Sequence, residues 1–179
     1  MKIILTILAV IVGIIVLLLV VALFVKKEYK VRREITINRS KGTVYDYIRF
    51  LKNQDNYSKW VMADPGMKKT YAGIDGAVGF KYAWDSKDKN VGEGEQEIIS
   101  LTEDEKVNIE VRFVRPFEGI GVAEMTTTPV TSDQTKVSWG MNGVSKYPMN
   151  ITNLFIDGIL GKDLEISLNN LKNILEKKF

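Results

Sequence analysis

The chain has 179 residues, with 25 Lys and Arg against 22 Asp and Glu, and it contains neither His nor Cys. Without Cys there is no disulfide, thiolate nucleophile, iron–sulfur cluster or Cys-ligated zinc. Without His there is no Ser-His-Asp triad, no H-E-x-x-H zinc site and no histidine haem ligand. Any catalysis would fall to carboxylates, Lys, Arg, Tyr, hydroxyls or backbone. No EF-hand spacing is present, and neither a metal nor a cofactor is expected.

The apolar residues are unevenly distributed. Ile3 to Val25 is interrupted only by Thr6 and Gly13. As a helix this run would be about 35 Å long, enough to span a hydrocarbon core of about 30 Å. It is longer than the apolar region of a signal peptide, and no small-x-small cleavage site follows it. Residues 3–25 are therefore expected to be a retained single-pass anchor in the lipid bilayer. Lys26, Lys27, Lys30, Arg32 and Arg33 follow it, against Lys2 before it. By the positive-inside rule the soluble domain lies on the cytoplasmic side. From residue 34 onward there are 19 basic and 21 acidic residues, so the domain has no nucleic-acid footprint.

The remaining elements follow in order. Val31, Ile35 and Ile37 alternate with polar residues as in a strand. Ser40 is placed to cap a helix carrying Val44, Tyr45, Tyr47, Ile48 and Leu51. A second short helix is expected around Asp55 to Trp60. Pro65-Gly66 and Gly73 to Gly76 mark turns. Val78, Phe80, Tyr82 and Trp84 form one alternating face. Further strands are expected at Val91–Leu101, Val107–Phe113, Ile120–Pro129 and Val137–Met141, joined by polar hairpins. From about Ile151 the apolar positions Leu154, Phe155, Leu160, Leu164, Leu168, Leu171 and Leu175 give a long amphipathic helix. Gly158 and Gly161 within it mark a break or a close approach. Strands with one apolar face and a long helix to cover them predict an α+β fold: an antiparallel sheet of about seven strands under the C-terminal helix.

Several segments in this order resemble the SRPBCC superfamily (START-related, polyketide cyclase/dehydrase-like). They are Tyr57-Ser-Lys-Trp60, Gly73 to Gly79, Phe80 to Trp84, Val91 to Ile98, Phe113-Val-Arg-Pro-Phe117, Thr135 to Trp139, and Gly161 to Glu165 with Leu168 to Lys172. The resemblance covers residues 28–178. Tyr57 stands where the family's usual first Trp would be. The resemblance implies a helix-grip fold, a curved sheet around the C-terminal helix with a cavity between them. It supplies no fixed catalytic residue.

Glu93, Glu95 and Glu97 share one strand face. They are either an acid/base or metal group or, as favoured here, a solvated outer face. In the second case Gly92, Gly94, Gln96 and Ile98 point inward, and the glycines leave room for a ligand or the long helix. Arg112 and Arg115 are read as exposed strand residues. Lys162, Asp163 and Glu165 are read as charges pairing along the helix. The expected cavity lining is Tyr47, Tyr57, Trp60, Phe80, Tyr82, Trp84, Gln96, Val111, Phe113, Trp139, Met141 and Leu154. An aromatic lining suits an apolar small-molecule ligand, with Tyr and Trp adding a few oriented polar contacts.

Three functional classes stay open. The first is membrane-tethered binding of a small hydrophobic ligand. The second is a cyclase or dehydratase working without His or Cys. The third is a protein-interaction module like the heat-shock ATPase-activator branch, with a filled core and an external apolar patch.

Overall fold

The computed structural model describes residues 2–177. Lys178, the last residue of the expected domain, lies outside the described residues. The order is α1 (Lys2–Phe24), β1 (Glu28–Ile37), α2 (Lys41–Ile48), a 3-10 turn (Leu51–Asn53), α3 (Gln54–Tyr57) and α4 (Lys59–Ala63). Then come β2 (Lys68–Ala72), β3 (Lys81–Asp85), β4 (Glu93–Thr102), β5 (Lys106–Arg115), β6 (Gly119–Thr131) and β7 (Gln134–Val144). A second 3-10 turn (Met149–Leu154) leads into α5 (Ile156–Lys177).

The seven strands form one antiparallel sheet in the order β1-β7-β6-β5-β4-β3-β2. Strands β2 to β7 follow one another as neighbours, and β1 closes on the last of them. One face carries the core: Val31, Ile37, Ile98, Val107, Ile109, Met125 and Val137 are buried. Leu164, Leu168, Leu171 and Leu175 of α5 are buried against it. Their three- and four-residue spacing makes one dry stripe on the helix. This is the helix-grip arrangement of a curved sheet on a long C-terminal helix.

The antiparallel register gives the sheet two ends. The ends of β3, β5 and β7 and the starts of β1, β4 and β6 share the end where α1 departs, here the α1 end. The turns before β3, β5 and β7 lie at the far end.

α1 is, among the described residues, the one helix long and apolar enough to cross a membrane. Its C-terminus is held by the domain. Asn150 is buried, and its Nδ2 donates to the Ala22 carbonyl at 2.6 Å and the Val25 carbonyl at 2.8 Å. Asn153 Nδ2 donates to the Lys26 and Lys27 carbonyls at 3.0 and 2.9 Å. Asn150 thus satisfies carbonyls at the helix end that lack intrahelical partners, and Asn153 holds the link from α1 to β1.

Several expectations are corrected. β2 lies in a stretch that periodicity left as a link. Val78 is not on the β3 face: it is 60 % exposed in the turn before that strand, where Gly73, Gly76 and Gly79 all have positive φ. Ser40 occupies the N-cap position of α2, but its hydroxyl meets Thr43 Oγ1 at 2.9 Å instead of a backbone N–H. The expected single short helix is two, broken at Ser58, which is extended. α5 stabilises the break: Lys59 N–H donates to Ser167 Oγ at 3.0 Å, and Asn170 Nδ2 donates to the Tyr57 carbonyl at 3.2 Å. Leu154 and Phe155 are not on the dry face of α5 but 57 % and 67 % exposed, because the helix begins only at Ile156.

Asp163 and Glu165 do not pair along α5. Asp163 pairs with Lys59, and Glu165 Oε1 accepts from Arg33 Nε at 2.7 Å. Arg33 also donates twice to the Asp157 carboxylate at 2.9 Å and to its carbonyl at 3.1 Å. Its guanidinium lies over Gly161, where a Cβ would overlap it. Arg33 therefore clamps β1 to the first half of α5 and is not a free membrane-flanking charge. An expected result follows. Gly→Ala in an open helix gains about 0.5–1 kcal/mol. Gly158→Ala, where a Cβ meets nothing within 4 Å, raises the melting temperature. Gly161→Ala lowers it by expelling Arg33.

Candidate functional site

Cross-strand pairing aligns the inner-face residues in rows. One row runs Tyr29, Gly143, Gly121, Val111, Gln96, Tyr82, Tyr71 across all seven strands. The next toward the far end includes Val31, Met141, Ala123, Ile109 and Ile98. Toward the α1 end lie Phe113, Gly94, Trp84 and Lys69.

Burial changes along these rows. At the far half the interior is filled by Ile37, Ile48, Leu51, Met125, Val137, Leu168, Leu171 and Leu175, all at most 1 % exposed. At the α1 half Tyr29, Trp84 and Phe113 are only half-buried, as are Ile156 and Leu160 of α5, and in the middle of the face so are Met141 and Trp60. The grip is thus closed at one half and lined by half-covered rings at the other.

Most of the expected lining residues fall into two separate chains of rings. Tyr57 stands between Tyr47 and Trp139, with ring centroids 6.2 and 5.8 Å away, and Trp60 meets Trp139 edge-on at 6.2 Å. A second chain runs from Tyr82 to Trp84 to Phe113 in steps of 6.2 Å. Phe80 joins it through Tyr71, which stacks on both Phe80 and Tyr82. Val111 and Gln96 pair across β5 and β4. Leu154 is excluded: it sits exposed on the turn before α5.

Local sequence explains how Trp84 is placed. Its Nε1 donates to the Val91 carbonyl at 3.2 Å. Its ring lies on Gly94, where a Cβ would come within 2.6 Å of the ring. Gly92 sits at positive φ against the Arg115 carbonyl, beside a register shift between Glu93 and Gly94. The space left by these glycines is therefore taken by Trp84 and the β5 backbone, not by the long helix. On the neighbouring strands Gly143 and Gly121 make room for Tyr29.

The polar groups inside are few. Gln96 Nε2 donates to Gln54 Oε1 at 2.8 Å, and both residues are buried. Sequence periodicity missed Gln54, because a polar residue on an inward helix face looks like a surface position. The Tyr57 hydroxyl reaches only the Met125 sulfur, at 3.9 Å. The Tyr82 hydroxyl is buried with no hydrogen-bond partner among the described residues. Burial pushes both phenols well above the ordinary tyrosine range. They stay protonated at neutral pH and can donate a hydrogen bond.

The carboxylates of β4 and β5 lie elsewhere, while at the edge of the inner face Lys69 pairs with Asp55 at 2.9 Å. Arg112 Nη2 donates to Glu95 at 2.6 Å and Glu97 at 2.5 Å, and Nη1 pairs with Glu110. Arg115 donates to Glu93 at 2.7 Å and Asp85 at 2.5 Å. This is the solvated outer face, a ladder of alternating charge. No metal-binding group of acidic residues occurs among the described residues. Two shallow hollows of about 250 and 290 Å³ also lie outside the grip. One is near Lys41, Glu105 and Thr127, the other along β2–β4 beside Glu93, Glu95 and Val114.

The hydrogen bond from Arg112 holds the Glu97 carboxyl below its ordinary range. A depressed carboxylate stabilises the fold above its unfolded pKa of about 4.3 and loses that effect as pH falls through the folded value. Glu97→Gln is therefore expected to be less stable than the native chain at pH 7 and to converge with it in acid. Urea midpoints across that range would check this.

Comparisons agree with this architecture. The family described as polyketide cyclase / dehydrase and lipid transport matches residues 28–176. No curated protein sequence matches the chain. A protein from Nitrosospira multiformis has a similar structure at TM-score 0.58 and 20% identity, covering 84% of this chain and 98% of that one. A Chromobacterium violaceum protein gives 0.59 at 14% identity, covering 82% and 96%. Norcoclaurine synthase from Thalictrum flavum, solved with dopamine and hydroxybenzaldehyde, gives 0.60 at 14% identity, covering 85% and 89%. At these identities the neighbours show the fold alone. The family match spans the domain from the first strand almost to the end of the last helix, and by it this chain belongs to the polyketide cyclase / dehydrase and lipid transport family.

Proposed function

We propose that the protein is a bilayer-anchored binder of a small apolar, ring- or acyl-bearing molecule, taken up between the sheet and the first half of α5. One observation carries the reading: the grip is packed at its far half, but its middle and α1 end are lined by half-buried Trp60, Met141, Trp84 and Phe113. Sites for apolar molecules combine such a lining with a few polar handles. Here the handles would be the Tyr82 hydroxyl and the Gln54–Gln96 pair, with Tyr57 behind them. The family's description includes lipid transport, which favours the same ligand class.

α1 supports tethering. A cleaved signal would leave the buried Asn150 amide without the Ala22 and Val25 carbonyls. Lys26, Lys27 and Lys30 remain as basic flank once Arg32 and Arg33 are committed to Glu124 and to Asp157 and Glu165. That flank favours a cytoplasmic domain. The enzyme reading is weaker. Protonated phenols and amides in the grip can orient a carbonyl but cannot abstract a proton, and the Lys69 amine at the edge of that face is engaged by Asp55.

Trp60, Trp84 and Trp139 are all the tryptophans in the chain, so intrinsic emission reports on this region alone. Full-length protein in nanodiscs is titrated with oleate and with anilinonaphthalene sulfonate, and native mass spectrometry is run on the same sample. A saturable emission change at one molecule per chain is expected. No saturable change, together with a bare chain mass, would overturn the binding reading.

A further inference from the structure

The segment between β7 and α5 carries exposed apolar residues that the ligand site does not use. Tyr147 and Met149 are exposed, Leu154 and Phe155 more so, and Ile159 is 63 % exposed on the first turn of α5. Phe117, at the tip of the β5–β6 hairpin, is exposed at the same end of the sheet. Scattered surface apolar residues are ordinary, but a contiguous group marks a contact surface.

Its position says what covers it. Asn150 and Asn153, inside this segment, are the groups that bind the carbonyls of residues 22, 25, 26 and 27. The Tyr147 hydroxyl reaches the Leu19 carbonyl at 3.4 Å. The segment is thus fixed beside the last turns of α1, at the level where an anchor helix leaves the hydrocarbon. Its composition fits that depth: Tyr and Phe with exposed Lys26, Lys27 and Lys146 nearby. Aromatic rings and lysines are the side chains that settle at headgroup level. The one acid within residues 145–159, Asp157, is held by Arg33.

We infer that the rim formed by residues 145–159, with Phe117, is immersed in the lipid headgroup layer of the membrane that α1 spans. This rests on reading α1 as an anchor. Ile156 and Leu160 alternate with the rim residues and face the half-open end of the grip. The mouth therefore opens onto lipid, and an apolar ligand passes between bilayer and grip without crossing water. Immersion of such a face is typically about 5–10 Å deep.

The absence of cysteine makes the test direct. Single variants Tyr147→Cys, Phe155→Cys and Ile159→Cys are labelled with a fluorophore in the full-length protein. The chain is reconstituted in phosphatidylcholine–phosphatidylglycerol vesicles. Ile74→Cys and Val130→Cys, exposed at the far end, serve as water controls, and Ile14→Cys reports on α1. Rim labels quenched by shallow spin-labelled lipid and shielded several-fold from iodide relative to the far-end labels are expected. Rim labels as open to iodide as the controls, with Ile14→Cys quenched by lipid, would leave α1 an anchor and overturn the immersed rim, freeing that face for a protein partner. Iodide quenching at Ile14→Cys as well would remove the anchor itself and the inference with it.

Discussion

Tyr57→Ala is expected to lower the unfolding free energy by about 3–5 kcal/mol, the range for truncating a large buried aromatic. Tyr57 is fully buried and joins Tyr47 to Trp139. No neighbouring backbone is free to collapse into the gap, since α5 binds the Tyr57 carbonyl through Asn170 and the Lys59 N–H through Ser167. Tyr57→Phe separates stability from binding. The hydroxyl has only a long contact to a thioether, so its loss costs at most about 1 kcal/mol. If the phenol serves the ligand, Tyr57→Phe weakens binding of an oxygen-bearing probe while urea unfolding barely moves.

Gly92→Ala is expected to cost a similar amount by a different route. The residue has φ of +66°, and a Cβ would overlap the Arg115 carbonyl, which is backbone and cannot swing aside. Positive φ at a non-glycine residue costs about 1–3 kcal/mol, and overpacking adds about 1–3 kcal/mol. The β4 strand would have to shift relative to β5. Val91 and Gly94, which hold the Trp84 indole and seat its ring, would shift with it. The variant should therefore unfold earlier and show altered tryptophan emission in the folded state. Unchanged emission would mean that Trp84 is held by something other than this loop.

Much of the fold is legible in the sequence because its strands each bury one face. Val107, Ile109 and Val111 alternate with polar residues that face water, and β5 falls where that alternation places it. The glutamates of β4 read correctly as an outer face for the same reason. β2 is not legible: Lys68 to Ala72 is an exposed edge strand whose inner positions are Lys69 and Tyr71, so no apolar period marks it. The start of α5 is misread because Leu154 and Phe155 continue a helical spacing in sequence while the chain is still turning. Their apolar character answers to a different surface. The aromatic lining is legible as composition. Which half of the grip stays open is not, since that depends on cross-strand rows set by pairings distant in sequence. Gln54 and Arg33 escape notice because each is a polar residue on an inward face, satisfied only by partners far along the chain.

The pairing of β1 with β7 has a consequence for how the protein is made. Every other strand pairs with the one synthesised just before or after it, but β1 must wait for a partner that emerges about a hundred residues later. On the proposed reading of α1 as an anchor, β1 is held at the membrane surface while β2 to β6 pair hairpin by hairpin. Until β7 is released, the edges of β1 and β6 are both open. Such edges are where nascent chains are captured by chaperones or lost to aggregation. Closure of the sheet and docking of α5 thus await the last third of the chain, and a ribosome stalled before β7 would leave a half-built sheet.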